Sequence, residues 1–246
     1  PPPMPGLVGS LSSPEAHPLQ PRRGETPAEA AARVFDTLAT TAADLARRRA
    51  DTARHLPFGV RDADALLAGG IATGEVCEIV GAGGLGSSIA TELCLVAVAQ
   101  CVGSSDAHAV YLDTSLGFRA TRLYELLRER FPAQPREALK ARLESQVRVL
   151  HAHGLVPLTE AVDGVASELA VAAASGVGWA AKLKLLIVDS AFAPLHAERI
   201  EVPGSLAGAQ MARLQHALRP LAYPGELAAL ATTVPIPPPR AAPEPP

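Results

Sequence analysis

Cysteine is scarce in this chain. The three residues, Cys77, Cys94 and Cys101, are odd in number and lack paired spacing. That excludes a disulfide framework and a thiolate metal site, and it fits reduced thiols packed inside an intracellular protein. Aromatic residues make up 4% of the chain, with one tryptophan, Trp179. Few side chains are therefore available for stacking on nucleic-acid bases, and Trp179 is expected to pack. Positive charge is not in excess: the net charge is −3 and the pI about 6.2. No global footprint for nucleic acid follows, so any DNA contact has to come from a local patch or a partner. Lysine is confined to Lys140, Lys182 and Lys184, against 19 arginines. Long apolar runs are missing too. The stretch from Leu169 to Ala181 ends at Lys182 and is too short to span a bilayer, so no membrane association is expected. The first 25 residues are proline-rich and do not have the form of a signal peptide.

What the chain has is apolar content, 48% of 246 residues, enough for one α/β domain with a real core. Residues 1–26 and 235–246 are proline-dense and read as disordered tails. Residues 27–58 begin with an Ala- and Arg-rich stretch that reads as a helical linker, whose Arg47-Arg48-Arg49 run is expected on a solvated face. The folded core is expected over 59–234. Within it, apolar strands at 76–80, 109–113, 147–151, 185–189 and 227–233 alternate with helical patterns near 87–101, 119–130, 136–146, 157–173 and 205–222. That alternation predicts a mainly parallel sheet with helices on both faces, and ligands in such sheets bind beyond the strands' carboxyl ends.

Two features sit at such ends. Residues 81–88, GAGGLGSS, follow the strand VCEIV and have the glycine spacing of a phosphate-cradling loop, G-x-x-x-x-G-K-[ST], with Ser87 in the lysine position. In that reading Gly81, Ala82, Gly83, Gly84, Leu85, Gly86, Ser87 and Ser88 hold the phosphates. The backbone amides would surround them at a helix N-terminus, while the charge of the lysine is lost. Losing one or two charge-assisted hydrogen bonds, roughly 1.5 to 3 kcal/mol each, weakens binding about tenfold to a hundredfold or more. The second feature is LLIVDS at 185–190, where Asp189 ends a strand. With Ser88 it forms the expected metal pair should Mg-ATP bind. His151 and His153 lie on one face of a strand without a third ligand at suitable spacing, which speaks against a metal site there.

The stretch AVYLDTSLGFRATRL, residues 109–123, resembles the RecA-like strand-exchange recombinases, particularly the RadA-type branch and its recombination-mediator paralogues. Asp113, Thr114, Phe118, Arg122 and Leu123 match the family pattern. So do GVRDADALLAGGIATGEVCEIVG at 59–81, GSLAGAQM at 204–211 and LAALATTV at 227–234, and together the similarity covers roughly residues 45–234. The resemblance implies a RecA-like P-loop NTPase core, here shortened at its C-terminal end. It further implies a nuclear subunit of homologous recombination that works beside other paralogue subunits and single-stranded DNA. Residues 27–60 and the loop region are candidate interfaces.

The departures from the pattern matter as much. Where an active recombinase has a glutamate two residues past the Asp113 position, this chain has Ser115, so the carboxylate that orients the attacking water is missing. Thr232-Thr233 replace a nucleotide-sensing Asn-Gln pair. The segment containing His196, Glu198, Arg199 and Glu201 makes a poor phosphate grip. The expectation is a scaffold with a degenerate nucleotide site, weak or absent binding of ATP and Mg²⁺, and no catalytic residue. The alternative is a weak DNA-dependent ATPase in which Arg119 or Arg122 replaces the lysine; for both arginines a helix surface with salt bridges to Glu125 or Glu129 is the plainer role.

Overall fold

The structure is a computed structural model that describes residues 24–38, 43–44, 54–81, 85–193, 204–222 and 227–233. Residues 1–23 of the expected N-terminal tail, the expected tail at 235–246, the arginine run at 47–49, loop residues 82–84 and the segment 194–203 lie outside the described residues, as do the side chains of 85–87. The chain divides into two compact units at Asp51/Thr52.

The first unit contains helix α1, Pro27–Leu38. Its start is written in TPAE: the Thr26 amide donates to Glu29 Oε2 at 2.9 Å, and the Glu29 amide donates back to Thr26 Oγ1 at 3.3 Å. This reciprocal cap, with Pro27 at the first helical position, satisfies donors that a helix start leaves open. The Thr26 hydroxyl donates to the same Oε2 at 2.7 Å, and this bond first and that from the Thr26 amide second lower the Glu29 pKa.

The second unit begins with β1 (His55–Leu56), α2 (Arg61–Leu66) and β2 (Ile71–Ala72), which pairs antiparallel with β1. The sequence boundary at 58/59 falls inside this unit, and the reason is packing: Phe58 is fully buried, Leu56 packs against the same core, and the Asp64 carboxylate accepts from the Phe58 and Gly59 amides at 2.6 and 2.9 Å.

Then come β3 (Val76–Val80), α3 (Leu85–Ser104), β4 (His108–Asp113), α4 (Ala120–Arg130), α5 (Arg136–Gln146), β5 (Val147–His151) and α6 (Leu155–Ser175). A short 3₁₀ turn (Trp179–Lys182), β6 (Leu183–Asp189), α7 (Gly204–Ala222) and β7 (Ala228–Thr233) complete the order. The expected α/β architecture is present. Five strands form one sheet in the order β3-β7-β6-β4-β5, every pair parallel.

Two apolar layers cover the sheet. One joins the buried residues of α3 with Leu123, Leu126 and Leu127 of α4 and Leu139 of α5 against Tyr111, Ile187 and Leu230. The other packs Leu158, Val162 and Val165 of α6 and Leu214 and Leu218 of α7 against Val110, Leu186 and Val188. Strands covered on both faces need apolar residues at every position, which is why β6 and β7 read as continuous runs. Register then aligns the strand ends, with Asp113 beside Asp189 across β4 and β6.

Candidate functional site

The carboxyl ends of β4, β6 and β7 meet the first turns of α3. Asp189 ends β6 fully buried, and three hydroxyls donate to it: Tyr111 of β4 to Oδ2 at 2.7 Å, Thr232 of β7 to Oδ1 at 2.7 Å, and Thr91 of α3 to Oδ2 at 2.9 Å. A bare carboxylate in an apolar interior costs many kcal/mol, and hydrogen bonds to a charged group offset this by roughly 1.5 to 3 kcal/mol each. The sequence supplies the donors because each neighbouring element turns a hydroxyl inward at this level. Burial pushes the Tyr111 phenol far above its usual range, and the neighbouring Cys94 and Asp189 add to the shift. The phenol is therefore a permanent donor.

Asp113 is equally buried, and its work is local. Oδ1 accepts from the Ser115 and Gly117 amides at 3.2 and 3.1 Å, and Oδ2 from the Phe118 amide at 3.2 Å. His151 Nδ1 stands 3.4 Å from Oδ2, with the His153 ring stacked on it at 6.0 Å between centroids. The loop after β4 is thereby wrapped around the carboxylate, and Leu116 takes a left-handed φ of 62° at its tip. Ser190, after β6, is left-handed as well, with its amide on Thr232 Oγ1 at 2.7 Å. Strained backbone of this kind collects at functional ends of sheets. Gly117 brings the loop over Asp189: a Cβ there would lie 3.5 Å from Asp189 Oδ2 and 3.5 Å from Thr91 Cγ2.

The residues expected from sequence take these places. Gly81 is buried, and its amide donates to Thr233 O at 2.8 Å. Residues 82–84 are outside the described residues, while Leu85, Gly86 and Ser87 already belong to α3. Ser88 is exposed on that helix, and the α3 hydroxyl on Asp189 belongs to Thr91. Asp189 therefore meets α3 at Thr91. Thr91, Tyr111 and Thr232 are the side chains that motif reading did not assign; the signal for Thr91 was a second hydroxyl three residues after Ser88.

Ser115 is exposed beside the site and offers a hydroxyl at the expected glutamate position. Arg122 is committed elsewhere: its Nε and Nη2 donate to Glu92 Oε1 at 2.8 and 2.6 Å, and Nη1 to Glu125 at 3.2 Å. Those carboxylates raise its pKa, Glu92 most. Trp179 packs, as expected, with its indole N–H on Ser145 O at 2.8 Å and the Arg148 guanidinium 4.1 Å above its ring. Cys94 and Cys101 are buried thiols, and burial pushes Cys101 up to about 12. Among the described residues no helix is long and apolar enough to cross a membrane.

The family model described as Rad51 matches residues 48–234. The chain belongs to the Rad51 family. It is similar to the DNA repair protein RAD51 homolog 4 of Bos taurus, 30% identical over 156 residues, which is 63% of this chain and 45% of that protein. It is also similar to the DNA repair protein RAD51 of Saccharomyces cerevisiae, 30% identical over 199 residues, 78% of this chain and 45% of that one. The DNA repair protein rhp57 of Schizosaccharomyces pombe is 37% identical over 86 residues, 33% of this chain and 24% of its own length. The chain spans under half the length of these relatives. Membership accounts for the RecA-like sheet.

Proposed function

We propose that this chain is a recombinase-paralogue subunit that acts in homologous recombination as a scaffold, with little or no ATP hydrolysis of its own. The observation that carries the reading is the chemistry beside Asp113. The position that needs a water-activating carboxylate offers the exposed hydroxyl of Ser115, and the Asp113 carboxylate is occupied by three backbone amides. A hydroxyl does not deprotonate water at neutral pH, and most of the acceptor capacity of the Asp113 carboxylate is spent on its own loop. DNA contact, single-stranded and within a complex, then comes through partners, in keeping with the net charge of −3. The names of the relatives point to a DNA repair role, and a nuclear location follows from it.

Assembly with related subunits is supported at the far edge of the sheet. Among the described residues β5 pairs only with β4, leaving its outer edge open, and beside it lies a hollow of about 160 Å³ lined by Val110, Leu150, Ala161, Gly164 and Val165. Arg148, Glu168 and Trp179 stand at its rim. An open edge next to an apolar hollow fits an added strand that anchors one apolar side chain.

Affinity capture from the protein's own cells, with identification of what is bound, tests this. Recovery of other Rad51-family subunits is expected, and a chain recovered alone overturns the reading. Gly164→Arg is the matched variant: a Cβ at Gly164 meets nothing within 4 Å, so the fold is kept while the hollow is filled. Recovery of partners is expected to fall at least tenfold.

A further inference from the structure

We propose that Ser87, Ser88 and Ile89 are a three-residue insertion within the phosphate loop, so that Thr91 stands in the metal-side hydroxyl position and Ala90 in the lysine position. The proposal deepens the reading of a disabled nucleotide site and rests on it in one respect, that the site descends from a magnesium-nucleotide cradle.

The loop pattern sets eight positions from its first glycine to its Ser/Thr, with the lysine immediately before that hydroxyl. Counting along the chain selects Ser88; geometry selects Thr91. The Thr91 hydroxyl lies 2.9 and 3.2 Å from the two Asp189 oxygens, whereas Ser88 is exposed. Gly81 to Thr91 spans eleven positions, three more than the pattern. Three helical residues advance the axis by roughly 4.5 Å, just under a turn, and residues three apart share a helix face. An insertion of this size therefore keeps Thr91 pointed at Asp189 and carries Ser88 up by one turn.

Burial shows the same register. Ile89 is 60% exposed although it is apolar, and Ala90 is the first residue of α3 described as buried, at 3% exposed. Among the described side chains of α3, the inward face starts at Ala90. Without residues 87–89, the sequence runs Gly81-Ala82-Gly83-Gly84-Leu85-Gly86-Ala90-Thr91, the full pattern with alanine for lysine. In this register the chain departs from the pattern in two things, the lysine charge and the number of residues between the glycines and the metal-side hydroxyl. As the residues stand, a magnesium nucleotide does not fit: both Asp189 oxygens are held by hydroxyls and no ammonium faces them from Ala90.

Two variants separate this register from the one counted along the chain. The first deletes Ser87 to Ile89 and carries Ala90→Lys; the second keeps the full length and carries Ser87→Lys. Binding of a fluorescent ADP analogue is titrated with and without Mg²⁺. The deletion variant is expected to bind at least tenfold tighter than Ser87→Lys, with the gain dependent on Mg²⁺. Equal or tighter binding by Ser87→Lys overturns the proposal, as does a cooperatively melting deletion variant that binds no better. If the deletion variant does not fold, thermal melting of the full-length chain decides. Thr91→Val is expected to lower Tm by several degrees and Ser88→Ala to leave it unchanged, and equal losses from both overturn the proposal. Wild-type ATP turnover would instead contradict the scaffold reading and leave this comparison of variants intact.

Discussion

Asp189 holds four elements together through one carboxylate, since its partners come from β4, β7 and α3 while it ends β6. Asp189→Ala leaves the buried Tyr111 and Thr232 hydroxyls and the half-buried Thr91 hydroxyl without their acceptor, and it is expected to cost about 3 to 5 kcal/mol in chemical denaturation, given roughly 1 to 3 kcal/mol per orphaned buried group. Asp189→Asn keeps the shape and part of the acceptor capacity, so it should cost less than half of that. Thr91→Val removes one donor and is expected to cost about 1 to 2 kcal/mol, against changes within about 0.5 kcal/mol for the exposed Ser88→Ala. Asp189 was legible in the sequence because four apolar residues running into an aspartate mark the buried end of a parallel strand. Thr91 was not, because the loop pattern counts eight positions from Gly81 and stops at Ser88. Arg122 was legible in its plainer role: its carboxylate partners include the Glu125 and Glu129 that lie one and two turns along α4.

Elements were easier to read than contacts. All five strands of the sheet and the helices between them lie within a few residues of the expected spans, because a run such as LLIVD has to be buried on both faces and a pattern such as ATRLYELLRER has one apolar stripe. The two-residue strands β1 and β2, the six-residue helix α2 and the 3₁₀ turn were not expected. They are too short to show a period and are held by tertiary contacts, such as the Asp64 carboxylate on the amides of Phe58 and Gly59. Gly70 marks how tightly this entry is built: its φ is 128°, and a Cβ there would collide with the Leu56 carbonyl. Gly70→Ala is expected to cost about 2 to 3 kcal/mol in a denaturant titration, combining the left-handed strain of roughly 1 to 2 kcal/mol with displacement of backbone. A cost below about 0.5 kcal/mol would contradict the packing described for β1 against the turn before β2.

At the scale of the whole molecule, the sheet has its altered nucleotide end beside Asp113 and Asp189 and an open edge at β5, and these support different halves of the proposed role. The edge and its hollow are the docking surface we propose, while among the described residues Ser115 stands where a water-activating carboxylate is expected and hydroxyls meet Asp189. In the role we propose, the subunit contributes position to an assembly and leaves chemistry to its neighbours. The most direct measurement of that claim is ATP turnover by the purified chain with single-stranded DNA, run beside Asp189→Ala and a buffer control. The account expects no turnover above the control for either protein. Robust wild-type turnover abolished by Asp189→Ala would contradict it.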